Sequence, residues 1–199
     1  MFFSKNRALK ITCVISLLMI TFVYHRYINA ENNTHQIKFG ATYMTMNNTF
    51  YKAVNNEIEN VINDQGDVLY TRDPALDAKK QEEQINDLID LGIDVLIVNP
   101  VESTTINKTL KKVKKAGIKI IVVDAPISDD QIADCTVVSD NYDAGVKCAL
   151  DMMQRFEKAR IVLLEHQNVL SAVDRINGFK DTVSTNENYQ IVGSVDCLG

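Results

Sequence analysis

Two stretches of this chain share one grammar. LIDLGIDVLIVNP (residues 88–100) and KVKKAGIKIIVVDAP (112–126) each run from the end of a helix-spaced segment through a glycine into an apolar strand, then a polar residue and a proline. A glycine just past the last helical residue supplies the left-handed backbone that ends a helix. A continuous aliphatic run suits a strand covered on both faces. Repeating that unit dictates a parallel sheet with helices on both faces and right-handed crossovers.

The rest of the chain from Ile37 onward fits the same frame. Ile37 to Met44 predicts a buried strand. Phe50, Val54, Ile58, Val61 and Ile62 recur at helical spacing up to Gly66. A strand from Asp67 to Tyr70 and a helix from Leu76 to Leu91 come next, then a strand from Asp94 to Asn99. A helix carrying Ile106, Leu110, Val113 and Ala116 leads to a strand from Lys119 to Asp124. Beyond it the pattern predicts a short strand over Thr136–Ser139, a helix from Asp143 to Phe156 and a strand from Arg160 to Glu165. A helix from Val169 to Val183 and a last strand from Tyr189 to Val195 follow.

The first thirty residues differ in kind. Lys5, Arg7 and Lys10 precede an apolar run from Ile11 to Tyr24, with His25 and Arg26 after it. A positive region ahead of a short apolar run is an export signal, and this run is shorter than the ~20 residues that span a bilayer comfortably. Ala30 offers a cleavage point, while the flanking His25 and Arg26 suit a retained membrane anchor; the two readings stay open. Both place the body of the protein outside the cytoplasm, in the periplasm or on the outer face of the membrane. Residues 31–36, ENNTHQ, form a linker.

Composition narrows the function. A net charge of −5 argues against a nucleic-acid partner. The lysines at 111, 112, 114, 115 and 119 gather at a predicted helix end, where cations suit the dipole. Cys13, Cys135, Cys148 and Cys197 have no C-x-x-C spacing, so they are expected to be buried small apolar residues and not metal or redox groups. No G-x-G-x-x-G, P-loop or G-x-S-x-G occurs, and His25, His35 and His166 are dispersed. A flavodoxin-like or nucleotide-using enzyme on the same sheet would need phosphate-binding glycines after the first strand, where the chain has TMNNTFY. The expectation is a protein that is not an enzyme and uses no cofactor or metal.

In open parallel sheets, ligands bind beyond the carboxyl ends of the strands. That rule nominates Thr45–Tyr51, Thr71–Pro74, Asn99–Ser103, Asp124–Pro126 and Ser139–Asn141. Their amides, carboxylates, hydroxyls and aromatic rings suit a polyhydroxy ligand.

The ordered segments NNTFY, LIVNP, VVDAP, VVSDN and S-A-x-x-R-x-x-G-F resemble the ribose-binding protein family of type I periplasmic sugar-binding proteins. The resemblance implies two lobes, with lobe one over residues 37–139 and a partial lobe two over 140–199, the first crossing lying near Ser139–Asp140. It also implies that the chain stops short of a complete second lobe. It nominates Asn48, Phe50, Tyr51, Asp124 and Arg175 as sugar contacts. Two departures matter: the family's N-P-F-F is N-T-F-Y here, and Ala125 stands where ribose binders carry an arginine. Loss of that bidentate donor points away from ribose itself. The implied role is capture of a sugar for an ABC importer. A membrane-tethered accessory that presents a sugar-bound lobe to a sensor kinase is the alternative.

Overall fold

The computed structural model describes residues 15–25 and 36–197, in two compact units, Met1–Gln36 and Ile37–Gly199. In the first unit residues 15–25 form a helix, α1, with exposed apolar side chains. No helix among the described residues is long and apolar enough to cross a membrane. Lys5, Arg7, Lys10, Arg26 and Ala30, on which the export reading rests, lie outside the described residues, as does Cys13.

The second unit alternates strand and helix: β1 (Lys38–Thr42), α2 (Thr49–Asp64), β2 (Val68–Arg72), α3 (Ala78–Asp90), β3 (Val95–Val98), α4 (Asn107–Lys115), β4 (Lys119–Asp124) and β5 (Cys135–Val138). Then come α5 (Asn141–Arg155), β6 (Ala159–Glu165), α6 (Leu170–Val183) and β7 (Tyr189–Asp196). Gly66, Gly92 and Gly117 carry φ of 79°, 73° and 81°, the left-handed backbone expected at the helix stops. Asn48, Asp77 and Asp140 cap α2, α3 and α5 through their side chains, each contributing about 1 kcal/mol.

The first lobe is a five-stranded parallel sheet in the order β2-β1-β3-β4-β5. One face packs Leu96, Val98, Ile120 and Val122 against Ile85 and Leu88 of α3 and Leu110 and Val113 of α4. The other packs Ala41 and Ile97 against Tyr51 and Ile62 of α2. The order reverses direction between β1 and β3, the switch point at which open sheets leave a crevice beyond their carboxyl ends. The lysines at the end of α4 and the start of β4 are partly paired. Lys111 pairs with Asp129, Lys119 with Asp134, and Lys114 donates to the Gln131 and Ile132 carbonyls.

The second lobe is the parallel pair β6–β7 with α5 and α6 on one side. Cysteine burial is corrected here: Cys135, Cys148 and Cys197 are all free and exposed. β5 is an edge strand open on both faces, which strips Cys135 of cover. Cys148 lies on an outward face of α5, and Cys197 follows the exposed end of β7.

Candidate functional site

The site grows out of the end of β4. Asp124 has a positive φ of 65°, and the Ala125 N–H donates to the Val123 carbonyl at 2.8 Å, closing a three-residue turn around it. A non-glycine residue held in left-handed backbone costs of order 1 kcal/mol and persists only when its surroundings over-determine it. Those surroundings are explicit. Oδ2 of Asp124 accepts from the Tyr51 hydroxyl at 3.1 Å and from the Asn99 amide at 3.2 Å. Oδ1 carries no hydrogen bond among the described residues, so one carboxylate oxygen is held and the other is presented.

Each partner is fixed in turn. The Asn99 amide nitrogen also donates to the Val123 carbonyl, and its oxygen accepts from Met44 N–H at 3.1 Å. Gln81, fully buried on α3, donates to the Asn99 carbonyl at 2.9 Å and to Thr42 Oγ1, and accepts from Val101 N–H at 2.8 Å. Tyr51 lies buried in the first turn of α2, its ring stacked on Tyr43 at 5.9 Å and met edge-on by Phe50 at 5.3 Å. Burial first, and the Asp124 carboxylate second, push the Tyr51 hydroxyl above its ordinary value. Burial pushes Tyr43 up to about 12, and its hydroxyl has no hydrogen-bond partner among the described residues.

The five nominated contacts divide unevenly. Tyr51 and Asp124 are bonded to one another, and Phe50, 53% exposed, sits at the rim against Tyr51. Asn48 is exposed and spends its side-chain oxygen on the Phe50 N–H at 2.9 Å, capping α2. Arg175 lies on α6 of the second lobe. Its Nε donates to Asn141 Oδ1 at 2.8 Å, which leaves the terminal guanidinium nitrogens free of hydrogen bonds among the described residues. Asn141 is buried and donates to the Ser139 carbonyl at 3.0 Å, tying Arg175 to the crossing between lobes. Ala125 is fully buried and supplies no donor beside Asp124.

Asn99 and Gln81 are the members that residue-by-residue nomination missed. Asn99 fell inside a strand-end loop, and Gln81 interrupts the apolar stripe it shares with Ile85 and Leu88. A polar residue on a buried stripe needs partners, and that need was the available signal. His166 is half-buried and lines a recess of about 310 Å³ with Glu165 and Lys180. There Lys180 first, and Gln167 second, hold the Glu165 carboxyl below its usual range. The recess lies along the Val173–Ile176–Asn177–Lys180 face of α6, apart from Asp124.

A family model described as a periplasmic binding protein domain matches residues 39–199. The ribose import binding protein RbsB of Bacillus subtilis (strain 168) is 26% identical over 151 residues, covering 75% of this chain and 49% of that protein. The chain thus spans about half the length of that curated relative. Among solved structures, an ABC transporter solute-binding protein from Mycobacterium smegmatis with bound glycerol is 31% identical with a TM-score of 0.73, over 81% of this chain and 57% of that one. The fructose-binding periplasmic domain of a hybrid two-component system has a TM-score of 0.77 at 22% identity, over 82% of this chain and 55% of that one.

Proposed function

This chain belongs to the periplasmic binding protein domain family, and from that premise we propose that it captures a sugar outside the cytoplasm for an ABC importer. The observation that carries the reading is the half-used carboxylate of Asp124 at the end of β4: Oδ2 is locked by Tyr51 and Asn99 and Oδ1 is open. A ligand hydroxyl donates to Oδ1, a charge-assisted bond of about 1.5–3 kcal/mol. Phe50 covers the apolar side of the ring, Asn48 offers its amide nitrogen, and Arg175 brings its free guanidinium edge from the second lobe. Closure of the lobes about their crossing encloses the ligand, and the closed form is what a membrane partner recognises.

The buried alanine at position 125 offers no cation to pair with a ligand beside Asp124, so the reading favours a sugar other than ribose. Sugar binding supports the sensor alternative equally, since the relatives include the periplasmic domain of a two-component system. The chemical state of the mature N-terminus separates the two: a chain retaining residues 1–30 favours the tethered sensor.

Calorimetric titration of the full chain with D-ribose, L-arabinose, D-fructose, D-galactose and myo-inositol tests the proposal. Saturable binding of at least one is expected, and Asp124→Ala should weaken it about 10- to 150-fold. Binding of none, or chemical turnover of any, would sink the proposal.

A further inference from the structure

We infer that Ser103 of the first lobe is a latch that caps helix α6 of the second lobe and thereby sets the balance between open and closed lobes. The first turn of a helix leaves N–H groups without intrahelical acceptors. α6 begins at Leu170 behind Val169, whose aliphatic side chain cannot accept a hydrogen bond, and α6 has no side-chain cap of its own. Its acceptor comes from the other lobe: Leu170 N–H donates to Ser103 Oγ at 3.2 Å, across 67 residues of sequence.

The main chain of Ser103 reinforces the contact. Its N–H donates to the Asn168 carbonyl at 3.1 Å, and its carbonyl accepts from Ser128 N–H at 2.8 Å, anchoring it to the first lobe. Ser103 is 1% exposed. Val169, equally sheltered, packs into the first-lobe cluster with Tyr43, Met44, Val101 and Ala125. One side chain thus closes the α6 terminus while one peptide group holds the residue ahead of it. Ser103 stands four positions past Asn99, which holds Asp124. Leu170 stands five before Arg175. Breaking the latch therefore releases the helix that carries the second-lobe contact.

The effect on ligand rests on the function proposed above, but the latch itself is measurable without ligand. Amide hydrogen exchange on the full chain reads the opening equilibrium directly. Losing a serine cap shifts such an equilibrium about 2- to 30-fold. Ser103→Ala is expected to speed exchange of the Leu170 amide by that factor, to leave Ile97 in β3 and Phe179 in α6 unchanged, and to be rescued by Ser103→Thr. Leu170→Pro gives an independent route. It removes the donor, proline suits the first helical position, and Val169 already has the extended backbone (φ −120°, ψ 114°) that must precede it. The Ser103 amide should then exchange faster by the same factor, and adding Ser103→Ala should change nothing further.

An unchanged Leu170 rate in Ser103→Ala, or an unchanged Ser103 rate in Leu170→Pro, overturns the latch. So does an Ile97 amide that accelerates as much as Leu170, because Ser103 would then serve only the fold of its own lobe. Where D-fructose or L-arabinose binds the parent chain, Ser103→Ala should weaken it by up to the exchange factor. If neither these nor the other sugars bind, the sugar-capture reading fails while the exchange measurements still decide the latch.

Discussion

Asp124 and Tyr51 meet where left-handed backbone, a buried phenol and a carboxylate compete for stability. The phenol's raised ionisation gives this pair a pH signature. Because the folded value lies above the unfolded one of about 10, the pair's contribution is complete below pH ~10 and is lost as pH rises through the folded value. Tyr51→Phe removes a hydrogen bond of about 0.5–1.5 kcal/mol at neutral pH and the alkaline sensitivity with it. The difference in unfolding free energy between parent and variant should therefore shrink above pH 10. Urea unfolding at pH 7 and pH 11 measures it, and a constant gap would contradict the assignment. In the sequence the strand-end rule reaches only the stretches Thr45–Tyr51 and Asp124–Pro126, and it is the family resemblance that singles out Tyr51 and Asp124 within them. Their mutual bond, and its dependence on Asn99 and Gln81, was not, since side-chain partners separated by 73 or 25 positions leave no local pattern.

At the scale of elements, α5 and α6 cross unusually closely. A methyl group added at Gly145 would fall on the Arg175 carbonyl, and one added at Gly178 on the Tyr142 carbonyl, both backbone atoms that cannot turn aside. Gly145→Ala and Gly178→Ala should each destabilise the second lobe by about 1–3 kcal/mol through overpacking, even though alanine is the better helix former. Gly145→Ala should also disturb Arg175 and lower any sugar affinity. Chemical denaturation followed by circular dichroism tests this, and a neutral or stabilising result would refute the close crossing. The strand and helix succession was legible because glycine stops, caps and apolar runs are local signals. The glycine contact was not, as Gly145 and Gly178 sit inside helices where sequence alone reads them only as weak helix formers. Cysteine exposure went the same way: Cys135 lies on a strand of apolar character, and only the sheet order shows that strand to be an edge.

For the molecule as a whole, the two lobes are covered unequally. The first lobe buries both faces of its sheet at the central strands β1 and β3, whereas Val162 and Leu164 of β6 and Val195 of β7, each more than half exposed, lie on an open face of the second lobe. Leu164 pairs with Val195 and Val162 with Gly193, so these side chains form one continuous apolar stripe on a two-stranded sheet. A small sheet with an open face and unpaired edges is only marginally stable and prone to pair with other chains. The second lobe should therefore exchange its amides faster than the first, and the chain should self-associate as its concentration rises. Replacing Val162 and Leu164 together by lysine should suppress association, because charges on that face repel a second copy. It should leave first-lobe protection at Leu96 and Val122 untouched. Sedimentation velocity across a concentration series, with exchange measured on the same samples, decides the matter. Persistent association of the double variant would place the contact elsewhere, with the exposed β5 edge at Val137 and Val138 the next surface to charge.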